Sequence, residues 1–141
     1  MYREIKFRAW DEINNKMAYQ GSPDLETIQS FMQHYGDKTL MQSTGLYDRN
    51  QKEIYELDLM TYTILNSSGK ENCLVGKDSE GRHIYHAIIV FERGSFLAKE
   101  INGDGSLTVG FPLSVIMKRE TIVGNVFERP DICFLKFSNS F

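Results

Sequence analysis

The sequence predicts a mainly β protein, β with one α-helix, whose strands curl into an antiparallel sheet or small barrel. Three observations point there. Strand-like stretches recur along the chain, among them "TLMQS", "LMTYTIL", "CLVGK", "RHIYHAIIVFE", "SFLAKEI", "SLTVGF" and "TIVGNVFE". Between them sit "NSSGKE", "DSEG", "ERGS" and "NGDG", rich in the residues that turn a chain sharply. A helical apolar period occurs once, near the start. With 141 residues and 41% hydrophobic content the chain is the size of one ordinary domain and has the material for a core.

Each element carries its own signal. In "IKFRAWD", residues 5–11, Ile5, Phe7 and Ala9 project to one side and Lys6, Arg8 and Trp10 to the other, which is the alternation of a half-buried strand. "EINN" then turns the chain into "KMAY", so a β-hairpin is expected, with Asn14 and Asn15 able to take left-handed backbone angles. "SPDLETIQSFMQHYG" changes period: Leu25, Ile28, Met32 and Tyr35 form a helical stripe, Ser22 suits the N-cap, Pro23 the first turn and Gly36 the stop. Farther on, Gly45, Asp48 and Asn50 predict a fixed turn before "KEIYELDLM". There Tyr55, Leu57 and Leu59 form the apolar face and Ile54, Glu56 and Asp58 the other. The expected organisation is a single domain over 1–141, with a hairpin plus helix over 1–39, a barrel-like β part over 40–131 and an apolar tail over 132–141.

Charge and cysteine content exclude several classes. Sixteen Lys and Arg against 19 Asp and Glu give a net charge of −3, which argues against a broad electrostatic grip on nucleic acid, though not against a local basic patch. Cys73 and Cys133 lie far apart, in no metal-ligand spacing, and read as buried thiols in a reducing cytoplasm. The N-terminal stretch reads as a strand rather than an export signal, and no apolar run approaches the roughly 20 residues of a membrane span.

Four segments, "EIKFRAWD", "LMQSTGLYDRNQKEIYELDLM", "AIIVFERGSFLAKE" and "IVGNVFERPDI", match in order and spacing the YopX family of phage and prophage proteins, which the chain resembles over nearly its whole length. The resemblance implies a largely β protein with an SH3-like barrel part and a phage or prophage origin, and it implies no reaction. Two positions depart from the family pattern. Relatives usually carry Asn-Gly where this chain has Asn50-Gln51, so a left-handed angle there would fall on Asn50 or be bypassed by another turn type. Relatives usually read Glu-Gly-Asp where this chain has Glu56-Leu57-Asp58, which removes any close backbone approach the glycine allows. Asp58 is expected to accept hydrogen bonds from loop backbone.

No catalytic constellation emerges. Glu53, Glu56 and Asp58 are the densest acidic group and the one candidate for a hard divalent cation, but solvated acids beside a turn are the commoner outcome. His83 and His86, three apart in a strand, project to opposite faces and cannot chelate together. His34 suits the negative end of the helix dipole. "GDGS" at 103–106 is a hairpin turn rather than a phosphate loop, and "MKRE" at 117–120 offers too few cations for a nucleic-acid track. Aromatic residues make up 12% of the chain, and the tail residues Phe134, Leu135, Phe137 and Phe141 need cover, from their own sheet or from a neighbouring copy.

The function expected is therefore that of a non-enzymatic interaction module, without metal or cofactor, in the cytoplasm of a bacterial host. Its partner is a protein or a second copy of itself in a homo-oligomer, and the binding positions are Tyr47, Arg49, Tyr55 and Asp58 at the barrel mouth, with Trp10 if exposed. Nucleic-acid binding through aromatic platforms and scattered cations is the alternative, with a metal-dependent hydrolase centred on Glu56 and Asp58 as the third reading.

Overall fold

The computed structural model describes residues 5–20, 28–36, 39–64, 74–77, 83–101, 106–107, 110–113 and 120–130. They form β1 (Phe7–Asp11), β2 (Lys16–Tyr19), α1 (Ile28–Tyr35), β3 (Leu40–Tyr47), β4 (Glu53–Tyr55), β5 (Asp58–Ile64), β6 (Leu74–Lys77), β7 (His83–Glu92), β8 (Ser95–Glu100), β9 (Phe111–Pro112) and β10 (Thr121–Asn125). The protein is mainly β. One antiparallel sheet has the order β2-β1-β3-β4, and the second, curled into a half-barrel, runs β10-β5-β7-β8-β9 with β6 also on β7. Among the described residues no helix is long and apolar enough to cross a membrane.

The expected first hairpin is present, with Trp10 opposite Met17 and Asp11 opposite Lys16. Its turn is closed by the Asp11 carboxylate, which accepts the N–H groups of Ile13 and Asn14, and the left-handed residue is Asn15, at φ 53°. Helix α1 stops as expected at Gly36, which takes φ 78° and donates its N–H to the Met32 carbonyl. The expected helix start at Ser22 and Pro23 lies outside the described residues, as do Cys73, Cys133, the "GDGS" turn through Gly105, "MKRE" through Arg119 and the tail at 132–141. Phe31, absent from the expected stripe, is the most completely buried of the helix side chains described, and it packs with Ala9 and Ala18 of the hairpin. It lies four residues before Tyr35 and so on the same helical face.

β3 pairs with β1, so hydrogen bonds run across residue 40 and the first hairpin shares a sheet with β3 and β4. Gly45 lies inside β3 rather than in the turn; its φ of 77° falls where the register between β3 and β4 slips, between Ser43 and Tyr47. At the β7–β8 hairpin, Arg93 and Gly94 take φ of 52° and 83°, the double left-handed pattern of a type I′ turn. The long stretch expected as one strand from Thr121 to Glu128 ends at Asn125. There the Asn125 side chain accepts the N–H groups of Phe127 and Glu128, and the chain turns.

Alternation gives the curled sheet two apolar faces. Met60, Ala87, Ile89, Ala98 and Ile122 lie on the inner one with Ile54 of β4, while Leu59, Ile88, Val90 and Ile101 lie on the other under Val126. The sequence predicts an apolar face of Tyr55, Leu57 and Leu59 alone for the β4–β5 segment; in fact Ile54 and Met60 are as buried as Leu59, because both faces are covered.

The β3–β4 turn places its left-handed angle on Gln51, at φ 66°, and not on Asn50. Asp48 explains the shift: its carboxylate accepts the N–H groups of Asn50 and Lys52, each at 2.8 Å, and fixes the turn one residue later. Gln51 is exposed, so a glycine there would give up no buried side-chain contact and would change chiefly the backbone conformational cost. Gln51→Gly should raise stability by about 0.5–1 kcal/mol, the roughly 1–2 kcal/mol left-handed penalty less the entropy of an unfolded glycine, as read by urea unfolding.

Candidate functional site: the corner between the two sheets

Residues 53–64 run through both sheets. β4 pairs with β3, and β5 pairs with β7 and β10, so the chain changes sheets at Glu56 and Leu57. At that corner Glu56 donates its N–H to the Gln42 carbonyl, the last bond of one sheet, and Leu57 donates to the Ile89 carbonyl, the first of the other. The Leu57 carbonyl accepts from Val126 N–H. Leu57 sits at φ 65°, so the backbone takes a glycine-like turn here without a glycine, over-determined by these bonds on both sides.

Asp58 closes the corner. Its Oδ2 accepts the Tyr55 N–H at 2.8 Å, the role expected of it, and its Oδ1 accepts from Arg8 Nη2 at 2.7 Å. Arg8 comes from β1 and also donates to the Glu56 carbonyl at 3.1 Å, and its guanidinium lies 4.7 Å from the Tyr55 ring centroid. Its Nε has no hydrogen-bond partner among the described residues. Both ionised residues are 1% exposed.

The face of β1 that reads as polar is therefore a docking face, and the half-buried strand of the sequence is covered on both sides. Ala9 points to the helix. On the opposite side Lys6 pairs with Glu53 at 3.1 Å, Arg8 with Asp58, and Trp10 stacks on Phe127, with centroids 5.4 Å apart and planes within 7°. Tyr19 of β2 meets Tyr55 edge-on at 5.7 Å.

The three acids of the candidate metal cluster are dispersed by the same geometry. Glu53 is held by Lys6 and by the Ser43 hydroxyl, Glu56 accepts the Gln42 N–H at 2.8 Å, and Asp58 belongs to Arg8 and Tyr55. Among the described residues no three His, Cys, Asp or Glu side chains gather to hold a metal. Burial pushes the Glu56 carboxyl up, against the Gln42 N–H and Arg8. Burial likewise pushes Asp58 up more strongly than Arg8 and the Tyr55 N–H pull it down, and burial together with the Glu53 charge pushes Tyr55 up to about 12.

The five expected binding positions separate. Tyr55 and Asp58 are buried rather than at the surface, because the hairpin covers them. Trp10 is half-buried against Phe127. Tyr47 and Arg49 are exposed beside the β3–β4 turn. Of the histidines, His86 lies in β7 opposite Thr61, the His83 side chain lies outside the described residues, and His34 contacts the Tyr35 ring edge-on. Asp48 fixes the turn as expected and adds an unforeseen bond from the Ile122 N–H of β10, whereas sequence reasoning missed Arg8 and Asn125, each buried and each bonded to another segment or turn. The signal for Arg8 is a cation in the middle of an apolar strand.

Fold and site together define a two-sheet β protein in which a hairpin-and-helix layer is fastened to a curled sheet by a buried ion pair. The YopX protein family model matches residues 26–133, most of the chain, and the chain belongs to that family. It is also similar to a solved structure, the crystal structure of protein EF1440 from Enterococcus faecalis, with a TM-score of 0.52 and 22% identity over 93% of this chain and 99% of that one. This likeness concerns the fold. Among curated proteins no match is found.

Removing one ion of a buried pair strands the other, so Asp58→Ala should cost about 3–5 kcal/mol in urea unfolding. Asp58→Asn, which keeps an oxygen for the Tyr55 N–H, should cost less. For Glu56 the folded chain holds the proton more tightly than the unfolded one. The group's contribution is thus most favourable below the ordinary pKa of 4.5 and is lost as pH rises through the raised folded value. Glu56→Gln keeps an acceptor for Gln42 without the charge, so its stability relative to wild type should increase as pH goes from about 4 to about 7.

Proposed function

We propose that the protein acts by binding and not by catalysis, as an accessory interaction module of a phage or integrated prophage working in the cytoplasm of its bacterial host. The observation that carries this reading is the fate of the acidic cluster: Glu53, Glu56 and Asp58 each satisfy a separate internal partner, and the bond from Asp58 to Arg8 fastens one sheet to the other. Carboxylates committed in this way are poorly placed to share a metal ion or a proton-transfer task. The phage setting is drawn from the family.

The binding surface in this proposal is the exposed turn that carries Tyr47 and Arg49, not the covered corner. Self-association belongs to the same proposal, supported by Ile5, Ile13, Tyr19 and Phe91, large apolar side chains that stand exposed. Titration calorimetry with magnesium, manganese and zinc should give no saturable heat, and a stoichiometric isotherm would overturn the reading. In capture from prophage-carrying cells, the wild-type chain should retain a partner that a Tyr47→Ala, Arg49→Ala bait loses.

A further inference from the structure

The β3–β4 turn is balanced in sequence and unbalanced in space. From Tyr47 to Glu53 it carries two acids, Asp48 and Glu53, and two cations, Arg49 and Lys52. The fold turns the acids inward. Asp48 is buried, where its Oδ1 takes the Asn50 and Lys52 N–H groups and its Oδ2 takes the Ile122 N–H of β10 at 2.9 Å. Glu53 leans back on Lys6 of β1 and the Ser43 hydroxyl. Arg49 and Lys52 are left exposed. Since Asp48 points inward, its neighbours Tyr47 and Arg49 point outward, and Tyr47 is 45% exposed.

The turn is also held still. Asp48 N–H donates to the Lys52 carbonyl, Gln51 N–H to the Asp48 carbonyl and Arg49 N–H to the Glu120 carbonyl. A partner would meet two cations and a ring already fixed on a rigid loop, with little backbone left to order on binding.

We infer that this turn docks single-stranded nucleic acid, with Arg49 and Lys52 on backbone phosphates and a base stacked on Tyr47. The inference rests on the reading of the chain as a binding module and names its partner. Phosphates answer the two cations, and an unpaired base answers the ring, since stacking on an aromatic side chain accepts any base. An acidic peptide would use the cations and leave the ring idle. The chain's net charge of −3 confines the contact to the turn.

The test is fluorescence anisotropy of the full chain with a labelled single-stranded oligonucleotide of mixed sequence, beside a glutamate peptide of matched charge. With two phosphate contacts on a single strand, affinity should fall about sevenfold between about 50 and about 200 mM salt. The double variant Arg49→Glu, Lys52→Glu should lose binding, and Tyr47→Ala should weaken it about fivefold or more with its salt dependence unchanged. All three positions are exposed, so circular dichroism should report an unaltered fold. Absence of oligonucleotide binding at low salt, binding that survives charge reversal, or equal affinity for the glutamate peptide would each overturn the inference. If the oligonucleotide fails while a captured partner still depends on Tyr47 and Arg49, the partner chemistry is wrong and the binding module stands; a metal isotherm strikes the module itself.

Discussion

The pair formed by Arg8 and Asp58 is the constraint to which the other contacts of the interface conform. Each residue alone would be an ion in a place with almost no solvent, an arrangement that costs several kcal/mol, and together they satisfy one another across the junction of the two sheets. The value of such a pair lies less in net stability than in selecting one geometry. A one-residue slip of β1 would carry Arg8 to the helix side, among Ala9, Ala18 and Phe31, and leave Asp58 uncompensated. The alignment that satisfies the pair also brings Lys6 to Glu53 and Trp10 to Phe127, so three contacts spaced two residues apart on one strand read the same register.

Much of the architecture was legible in local chemistry. The "ERGS" turn, strand alternation, the glycine that ends the helix and the asparagines of the first hairpin all act within a few residues, where short-range rules operate. What was not legible depends on a partner distant in sequence. Arg8 and Lys6 look like a solvated face until the corner that receives them is known, and Tyr55 and Asp58 look like surface residues until the hairpin that covers them is in place. The helix stripe gains a member for the same reason: Tyr35 packs on this core as expected, and Phe31 joins it because two small alanines lie opposite, which nothing in the helix alone announces.

Side-chain carbonyl and carboxylate groups take the place of backbone acceptors at three of the described turns. Asp11, Asp48 and Asn125 each accept two N–H groups from residues two to four positions ahead, and Asp48 adds a third from β10. Such an acceptor, with backbone bonds at the corner, explains how the chain accommodates Gln51 and Leu57 in left-handed conformations that relatives are expected to assign to glycine. The turn at Gln51 is held by Asp48 and the corner at Leu57 by bonds into β7 and the segment after β10, so the local strain is outweighed by fixed acceptors nearby.

The stack of Trp10 on Phe127 joins the outer hairpin to the turn after β10. Trp10 is the chain's one tryptophan, so the tryptophan emission, excited apart from that of the tyrosines, comes from a single site, and that site is the seam. Separation of the two layers would hydrate the indole and shift its emission to longer wavelength even if each sheet kept its own strands. The molecule thus carries an optical gauge of its own assembly, one that distinguishes undocking from unfolding without an added label.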